Sequence, residues 1–162
     1  MAPDLPPKRA LHEELSQLLA SDLDTLEGSQ RAAQEGATHE EAKPENDKDT
    51  RAIEQSYLAR GQAKRIEELR SGLAAVSGML VRKAPPGSRV GLGSLVTAEE
   101  GGSVLVFFVA PHGGGAKLAC GRVSVVTPRS PLGRELVGKL AGDDVTVRLE
   151  GRTRELSVVD VD

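Results

Sequence analysis

Two stretches of the N-terminal half carry apolar residues at the spacing of a helix that buries one face. In the first, leucines recur every three or four residues between Leu11 and Leu26, with acidic residues around them. The second alternates by three and four, which is the a/d spacing of a coiled coil. Its expected seam residues are Ala59, Gln62, Ile66, Leu69, Leu73 and Val76. The pattern predicts an antiparallel coiled coil over residues 8–76, a rod of roughly 40 Å at the rise of a helix.

Beyond Ser77 the apolar pattern changes from the helical period to the alternation of strands, which predicts a β-rich domain over residues 77–162. In residues 145–149 apolar and polar positions alternate, so we expect a sheet with one covered face. Ser130 before Pro131 predicts a short N-capped helix lying on that sheet through Leu132, Leu136 and Val137. The expected strands are residues 79–82, 88–98, 103–110, 116–126, 144–149 and 154–161. The fold class is α+β.

Residues 40–50 separate the two helical stretches and hold five carboxylates in eleven positions. Pro44 lacks a backbone donor, and Asn46 favours a turn, so the chain is expected to reverse here. Asp49 or Thr50 is a plausible N-cap for the second helix. Antiparallel packing would carry the acids to the far end of the rod. The alternative is a solvated loop whose acids cap the second helix, because negative charge at a helix N-terminus is favourable by about 0.3–1 kcal/mol.

Composition narrows the classes of function. With no Trp, one Tyr and two Phe among 162 residues, a deep aromatic pocket for a small molecule is disfavoured. The net charge of -3 gives no general reason to bind nucleic acid or an anionic membrane surface. No apolar run approaches the ~20 residues of a membrane span, and residues 1–7, with three prolines, are expected to be a disordered or extended leader. We expect a cytoplasmic protein with no membrane partner.

Two smaller signals are predicted to be structural. Cys120 is the single cysteine, which excludes an intrachain disulfide, suits a reducing compartment and predicts a buried strand position. The glycine-rich segment at residues 111–115, Pro-His-Gly-Gly-Gly, is similar to an esterase oxyanion loop, but the Gly-x-Ser-x-Gly nucleophile elbow is absent from the sequence. That segment is therefore predicted to be a hairpin loop.

Two other segments resemble the Gre-factor family of bacterial transcription elongation factors. Pro44-Glu-Asn and the helix that runs on to Leu69 resemble the family's coiled-coil tip and descending arm. Ser130-Pro-Leu-Gly-Arg-Glu-Leu-Val-Gly with Gly142-Asp-Asp-Val resembles its C-terminal signature. The resemblance implies a coiled coil that enters the secondary channel of RNA polymerase and an FKBP-like C-terminal domain docked at the channel's rim. A monomer is adequate, because the predicted seam is intramolecular.

The resemblance also implies that acids at the tip help to hold a second Mg²⁺, shared with the polymerase active site, close to the nascent RNA 3′ end. Family tips commonly read glycine, aspartate, two residues, glutamate, asparagine. Glu45-Asn46 match the last pair, whereas Ala42 stands where the aspartate belongs. Glu45 is therefore the first catalytic candidate and, with Asp47, the candidate Mg²⁺ ligand. The candidates for the missing partner are Glu41, Asp47 and Asp49.

Three functions stay open at this point. The first is an accessory factor, not itself an enzyme, that stimulates the polymerase's own cleavage of backtracked transcripts. The second is a non-catalytic regulator that binds in the same secondary channel, which Ala42 favours. The third is a peptidyl-prolyl isomerase or chaperone built on the C-terminal domain. It requires an aromatic proline pocket, which is hard to assemble from Phe107 and Phe108 because they are adjacent in a predicted strand.

Overall fold

The structure, a computed structural model, describes residues 4–40 and 48–162, and within the two long helices it describes the side chains up to residue 36 and from residue 50. Two long helices are followed by a six-stranded sheet and one short helix, which confirms the predicted α+β class. In chain order the elements are α1 (Lys8–Glu40), α2 (Lys48–Ser77), β1 (Leu95–Glu100), β2 (Ser103–Val109), β3 (Lys117–Leu118), β4 (Val123–Val126), α3 (Pro131–Leu136), β5 (Asp144–Leu149) and β6 (Arg152–Val161). None of the described helices is apolar enough over sufficient length to cross a bilayer.

The two long helices run antiparallel, as predicted. Near the start of α1, His12 Nε2 donates to the carbonyl of Val76, near the end of α2, at 2.6 Å. Further along α1, Glu27 accepts a hydrogen bond at 2.5 Å from Arg70, which lies earlier in α2. Advancing along one helix therefore means moving back along the other.

The base of the helix pair belongs to a core that it shares with the sheet. Leu11, Leu15 and Leu19 of α1 are buried, and they pack in one cluster with Val76 of α2 and Phe108 of β2. The leucine stripe predicts the buried face correctly. The stripe covers the sheet as well as the partner helix, so the base of the helices is part of the domain.

The predicted seam of α2 is correct only in its C-terminal half. Ile66, Leu69 and Val76 are buried and Leu73 is half-buried. Every residue from 50 to 65 is exposed, which includes the predicted seam residues Ala59 and Gln62. The a/d spacing continues into this region, but the residues at those positions are too small or too polar to bury much apolar surface.

The sheet is mixed, in the order β3-β4-β2-β1-β6-β5, with β2 and β4 parallel and the other neighbours antiparallel. Adjacent residues of β2 enter two different cores. Phe108 packs with α1 and α2, whereas Phe107 packs on the other face with Leu136 of α3. The prediction of one covered face holds for β5, where Val145 and Val147 are buried, and is wrong for β2, because helices cover both faces there.

Three predicted strands are shorter, divided or missing. The predicted strand over residues 116–126 is divided into β3 and β4 by a turn at residues 119–122. Residues 79–82 form no strand, and the predicted strand over residues 88–98 begins only at Leu95. Gly93 explains the interruption, because its φ is +80° and a Cβ there would lie 2.7 Å from the carbonyl oxygen of Leu80. A left-handed residue in close contact with another backbone segment cannot continue a regular strand.

The short helix α3 follows its sequence signals closely. The Ser130 hydroxyl caps it by accepting from the backbone N–H of Gly133 at 3.1 Å, and Pro131 occupies the first turn. Leu136 is buried and Leu132 is half-buried, but Val137 is exposed, so the helix covers the sheet with fewer residues than predicted.

Two predictions about the connections were wrong. The loop at residues 111–115 leads from β2 to β3, and β3 pairs with β4 and not with β2, so the loop is a crossover and not a hairpin. Cys120 is exposed, because it lies in the turn between β3 and β4 with a φ of 55° and not within a strand.

Candidate functional site

The predicted acidic site lies almost entirely outside the described residues. Glu41, Glu45 and Asp47 fall in the segment 41–47 between the helices, and Asp49 falls in the first turn of α2, where only its backbone is described. Because α2 begins at Lys48, Asp49 and Thr50 lie inside the helix, so the prediction that one of them is the N-cap is wrong. A carboxylate in the first turn still interacts favourably with the helix dipole.

The described helices carry the ends of that segment far from the sheet. Leu19 is the last buried residue among the described side chains of α1, and about 30 Å of helix follow it before Glu40. In α2, about 27 Å of helix separate Lys48 from Ile66, the first buried residue. We call the exposed parts of the two helices, residues 31–36 and 50–65, the distal arm.

The α2 side of the distal arm combines positive charge with exposed apolar side chains. Glu54 is its single acidic residue, against the four cations Arg51, Arg60, Lys64 and Arg65. Tyr57 and Leu58 are 69% and 68% exposed. Most of the surface of each of these two side chains is therefore open to contact with another molecule.

Polar contacts outside the core hold the start of α1 against the C-terminal domain. Buried Lys8, at the start of α1, donates to the carbonyl of Arg82 and lies 3.7 Å from the Asp162 carboxylate. Burial lowers the pKa of Lys8, and Asp162 partly opposes that effect. Glu14 accepts the backbone N–H of Ala119 at 3.0 Å. The first turns of α1 are therefore held at two separate points.

One ion pair joins the helices where the buried base gives way to the distal arm. Arg70 Nη2 lies 2.5 Å from Glu27 Oε1, and Arg70 Nη1 lies 3.4 Å from Glu67 Oε2. The hydrogen bond to Glu27 raises the pKa of Arg70 above its ordinary value. This bridge fixes α1 against α2 without burying apolar surface.

The loop at residues 111–115 contacts both helices, which the sequence did not indicate. A Cβ added to Gly72 in α2 would lie 2.6 Å from His112 Cδ2 and Nδ1. One added to Gly113 would lie 2.8 Å from the Leu15 side chain of α1. The available signal was a glycine inside a strongly helical stretch, but its partner loop is distant in sequence.

The C-terminal domain offers no aromatic pocket for a proline ring. Phe107 and Phe108 are 5% and 0% exposed and lie in separate cores, and Tyr57, the one other aromatic residue of the chain, is on the arm. Across residues 4–36 and 50–162, no group of three or more His, Cys, Asp or Glu side chains is arranged to hold a metal ion. The isomerase hypothesis therefore loses the feature it requires.

The fold and the arm define a two-part protein, in which a long helical projection is rooted in an α+β domain. Residues 85–162 match the family described as "Transcription elongation factor, GreA/GreB, C-term". The C-terminal domain is therefore similar to that of GreA/GreB factors, as the sequence resemblance predicted.

Individual proteins are also similar to this chain. The chain is 34% identical over 99 residues to the transcription elongation factor GreA of Methylococcus capsulatus, and the match covers 60% of each protein. It is also similar to the solved structures of GreA factor homolog 1 (Gfh1) from Thermus thermophilus, at 20% identity with a TM-score of 0.40, and of Gfh1 from Thermus aquaticus, at 23% identity with a TM-score of 0.40. These two matches cover 93% and 94% of this chain and 94% of each solved chain.

Proposed function

We propose that this protein is a Gre-type transcription elongation factor. It binds RNA polymerase, inserts its helical arm into the secondary channel and stimulates the polymerase's own cleavage of backtracked transcripts. The match of residues 85–162 to the GreA/GreB family supports the class of partner. In this proposal the protein is a cytoplasmic accessory factor that acts as a monomer and contacts the nascent RNA 3′ end only through its tip.

The projection of the arm is the observation that carries this proposal. About 30 Å of α1 and about 27 Å of α2 lie beyond the last buried residues, and the side chains from 50 to 65 are exposed. Beyond Leu26, the last half-buried leucine of α1, the described side chains of the pair bury little apolar surface and add little to the stability of the domain. This length is needed if the segment between the two helices must reach a site inside a larger molecule.

The acids at the tip have the chemistry that this role requires. Carboxylate oxygens are preferred ligands of Mg²⁺, which is usually held by one or two carboxylates together with water and phosphate oxygens. Glu45 and Asp47 would complete the coordination of an ion whose other ligands come from the polymerase and the RNA. When bound, a second Mg²⁺ stabilises the charge that develops in an in-line displacement at phosphorus.

Halted, backtracked transcription complexes supplied with Mg²⁺ test the proposal. Wild-type protein is expected to shorten the transcript from its 3′ end, and Glu45→Ala is expected to bind the polymerase with unchanged affinity but to lose the shortening. Glu54→Ala is the matched control, because it removes an exposed acid from the same arm outside the tip. The proposal fails if Glu45→Ala and wild-type protein shorten the transcript at the same rate.

A second function is favoured by one specific observation. Ala42 stands where family tips carry an aspartate, so the protein would have one tip carboxylate fewer. A non-catalytic regulator would occupy the secondary channel and alter transcription without promoting cleavage. Ala42→Asp separates the two functions: gain of cleavage in this variant, with none in wild-type protein, identifies the regulator.

A further inference from the structure

We propose that His112 and Gly72 are positioning residues, which fix the direction in which the arm leaves the C-terminal domain. The contact between these two residues is a feature of the free protein. Only its expected effect on transcript cleavage rests on the proposed function. The imidazole of His112 lies against the backbone of α2 at Gly72, so closely that no Cβ fits between them. The absence of a side chain at residue 72 thus creates a notch, which the ring fills.

Gly72 differs in this respect from the other described glycines of the two long helices. Around Gly28, Gly36 and Gly61, no described atom lies within 4 Å of the place that a Cβ would take. A glycine inside a helix costs about 1 kcal/mol relative to alanine. The close approach of the His112 ring explains why a glycine is needed at residue 72 despite this cost. At the other three positions no contact in the structure explains the glycine.

The loop that carries the ring is itself tied to the sheet. The N–H of Ala110 donates to the carbonyl of Val126 at 3.0 Å, and the N–H of Gly115 donates to the carbonyl of Val125 at 2.9 Å. These bonds hold both ends of the loop on β4. The position of the His112 ring against α2 is therefore fixed by the position of the sheet.

The neighbouring residue makes the corresponding contact with the other helix. Gly113 has a φ of +86°, and a Cβ there would meet Leu15 at 2.8 Å and Leu19 at 3.6 Å. One loop, anchored on the sheet, thus contacts α2 through His112 and α1 through Gly113. Two contacts, one on each of the two antiparallel helices, restrict rotation of the pair relative to the sheet.

The length of the arm amplifies any change at this joint. About 36 Å of α2 separate Gly72 from Lys48, so a rotation of about 10° at Gly72 would move the distal end by about 6 Å. Misplacement of a reacting group by about 1 Å can reduce a rate about 100-fold. Gly72 and His112 would then affect cleavage from a distance, through the position of the tip.

The test measures the direction of the arm in the full-length free protein. A spin label on exposed Cys120 marks the domain, and a second label on Arg60→Cys marks the distal arm. Double electron–electron resonance then gives the distribution of distances between them. Relative to this labelled parent, Gly72→Ala is expected to shift or broaden the distribution, because the new methyl group displaces the ring. Gly61→Ala, the matched control on the same helix, is expected to leave it unchanged.

A double variant keeps the test decisive if Gly72→Ala proves unstable. His112→Ala removes the ring and is expected to broaden the distribution, and combining it with Gly72→Ala is expected to restore a narrower one, because the methyl group then has room. In transcript cleavage, Gly72→Ala is expected to lower the maximal rate at saturating factor more than it raises the half-saturating concentration.

Distance distributions for Gly72→Ala and His112→Ala that superimpose on that of the labelled parent would overturn the inference. So would failure of the double variant to recover relative to the single variants. An absence of cleavage by wild-type protein would count against the proposed function, whereas the distance measurements would still decide the inference.

Discussion

The two ends of the helix pair differ in how their residues are held. At the base, leucines such as Leu15 are fully buried between α2 and the sheet. In the distal arm, residues of comparable size such as Tyr57 and Leu58 are more than two-thirds exposed. The base is held by burial of apolar surface, and the described distal arm is not. The sequence of the distal arm is therefore free to serve contact with another molecule, and its stability depends on its continuity with the base.

The largest expected effect breaks the base. Leu15→Ala removes a fully buried side chain from the core that joins both helices to the sheet, so we expect a loss of about 2–5 kcal/mol in the free energy of unfolding. Leu58→Ala is the matched change in the distal arm and should cost less than about 0.5 kcal/mol. Urea titration of the two variants measures the difference. Equal losses would show that the distal arm packs against something.

The next effect strengthens the distal arm. Gly61→Ala replaces an exposed helical glycine that has no described neighbour within 4 Å of the added methyl group. The helix should gain about 1 kcal/mol locally. Amide hydrogen exchange along residues 52–64 should slow accordingly, while exchange in the sheet stays unchanged. Faster exchange in this variant would reveal a contact at residue 61 that alanine disrupts.

A smaller effect concerns the sheet and depends on pH. Arg154 donates to both carboxylate oxygens of Glu100, at 2.8 and 2.6 Å, and these bonds hold the pKa of Glu100 below its ordinary value of 4.5. The stabilisation is complete above the unfolded pKa and is lost as the pH falls through the lower folded pKa. Glu100→Gln should cost about 0.5–1 kcal/mol at neutral pH.

The pH dependence supplies the check on this pair. Thermal unfolding of wild-type protein and of Glu100→Gln should converge as the pH falls below the ordinary pKa of 4.5, because the wild type alone loses this interaction there. A difference between the two proteins that is the same at pH 7 and pH 3 would mean that the charge of Glu100 is irrelevant to stability.

The smallest expected effect is on the exposed aromatic residue of the arm. Tyr57→Ala should change the free energy of unfolding by no more than about 0.5 kcal/mol, because its ring is 69% exposed. Chemical denaturation detects a change larger than this. A loss of about 2 kcal/mol or more would place the ring in a packed site and remove the contrast between base and distal arm.

Local signals in the sequence identify those elements whose residues determine their own conformation. Ser130 and Pro131 specify the start of α3, and alternation specifies β5, whose bounds are as predicted. The leucine stripe of α1 identifies a buried face, but periodicity does not say what covers that face, so the contribution of the sheet was missed. The contact between His112 and Gly72 joins residues far apart in sequence, and no local pattern encodes it.

The candidate site was likewise predicted from the sequence only in part. The carboxylates of residues 40–50, together with the resemblance, predict an acidic tip, and the structure describes the two helices that flank it. Which acids approach each other depends on residues 41–47, which lie outside the described part of the chain. The pairing of Glu45 with Glu41, Asp47 or Asp49 therefore stays a prediction.

Shortening the arm tests the central claim most directly. Removal of residues 30–36 and 52–58 takes two turns from each helix, about 10 Å, and preserves both the tip and the buried base. Because Tyr57 and Leu58 are lost as well, the full-length Tyr57→Ala/Leu58→Ala variant is the control. In backtracked complexes, we predict that wild-type protein and the control shorten the transcript and that the truncated protein binds the polymerase without shortening it. Equal cleavage by the truncated and full-length proteins would contradict delivery of the acids by the arm.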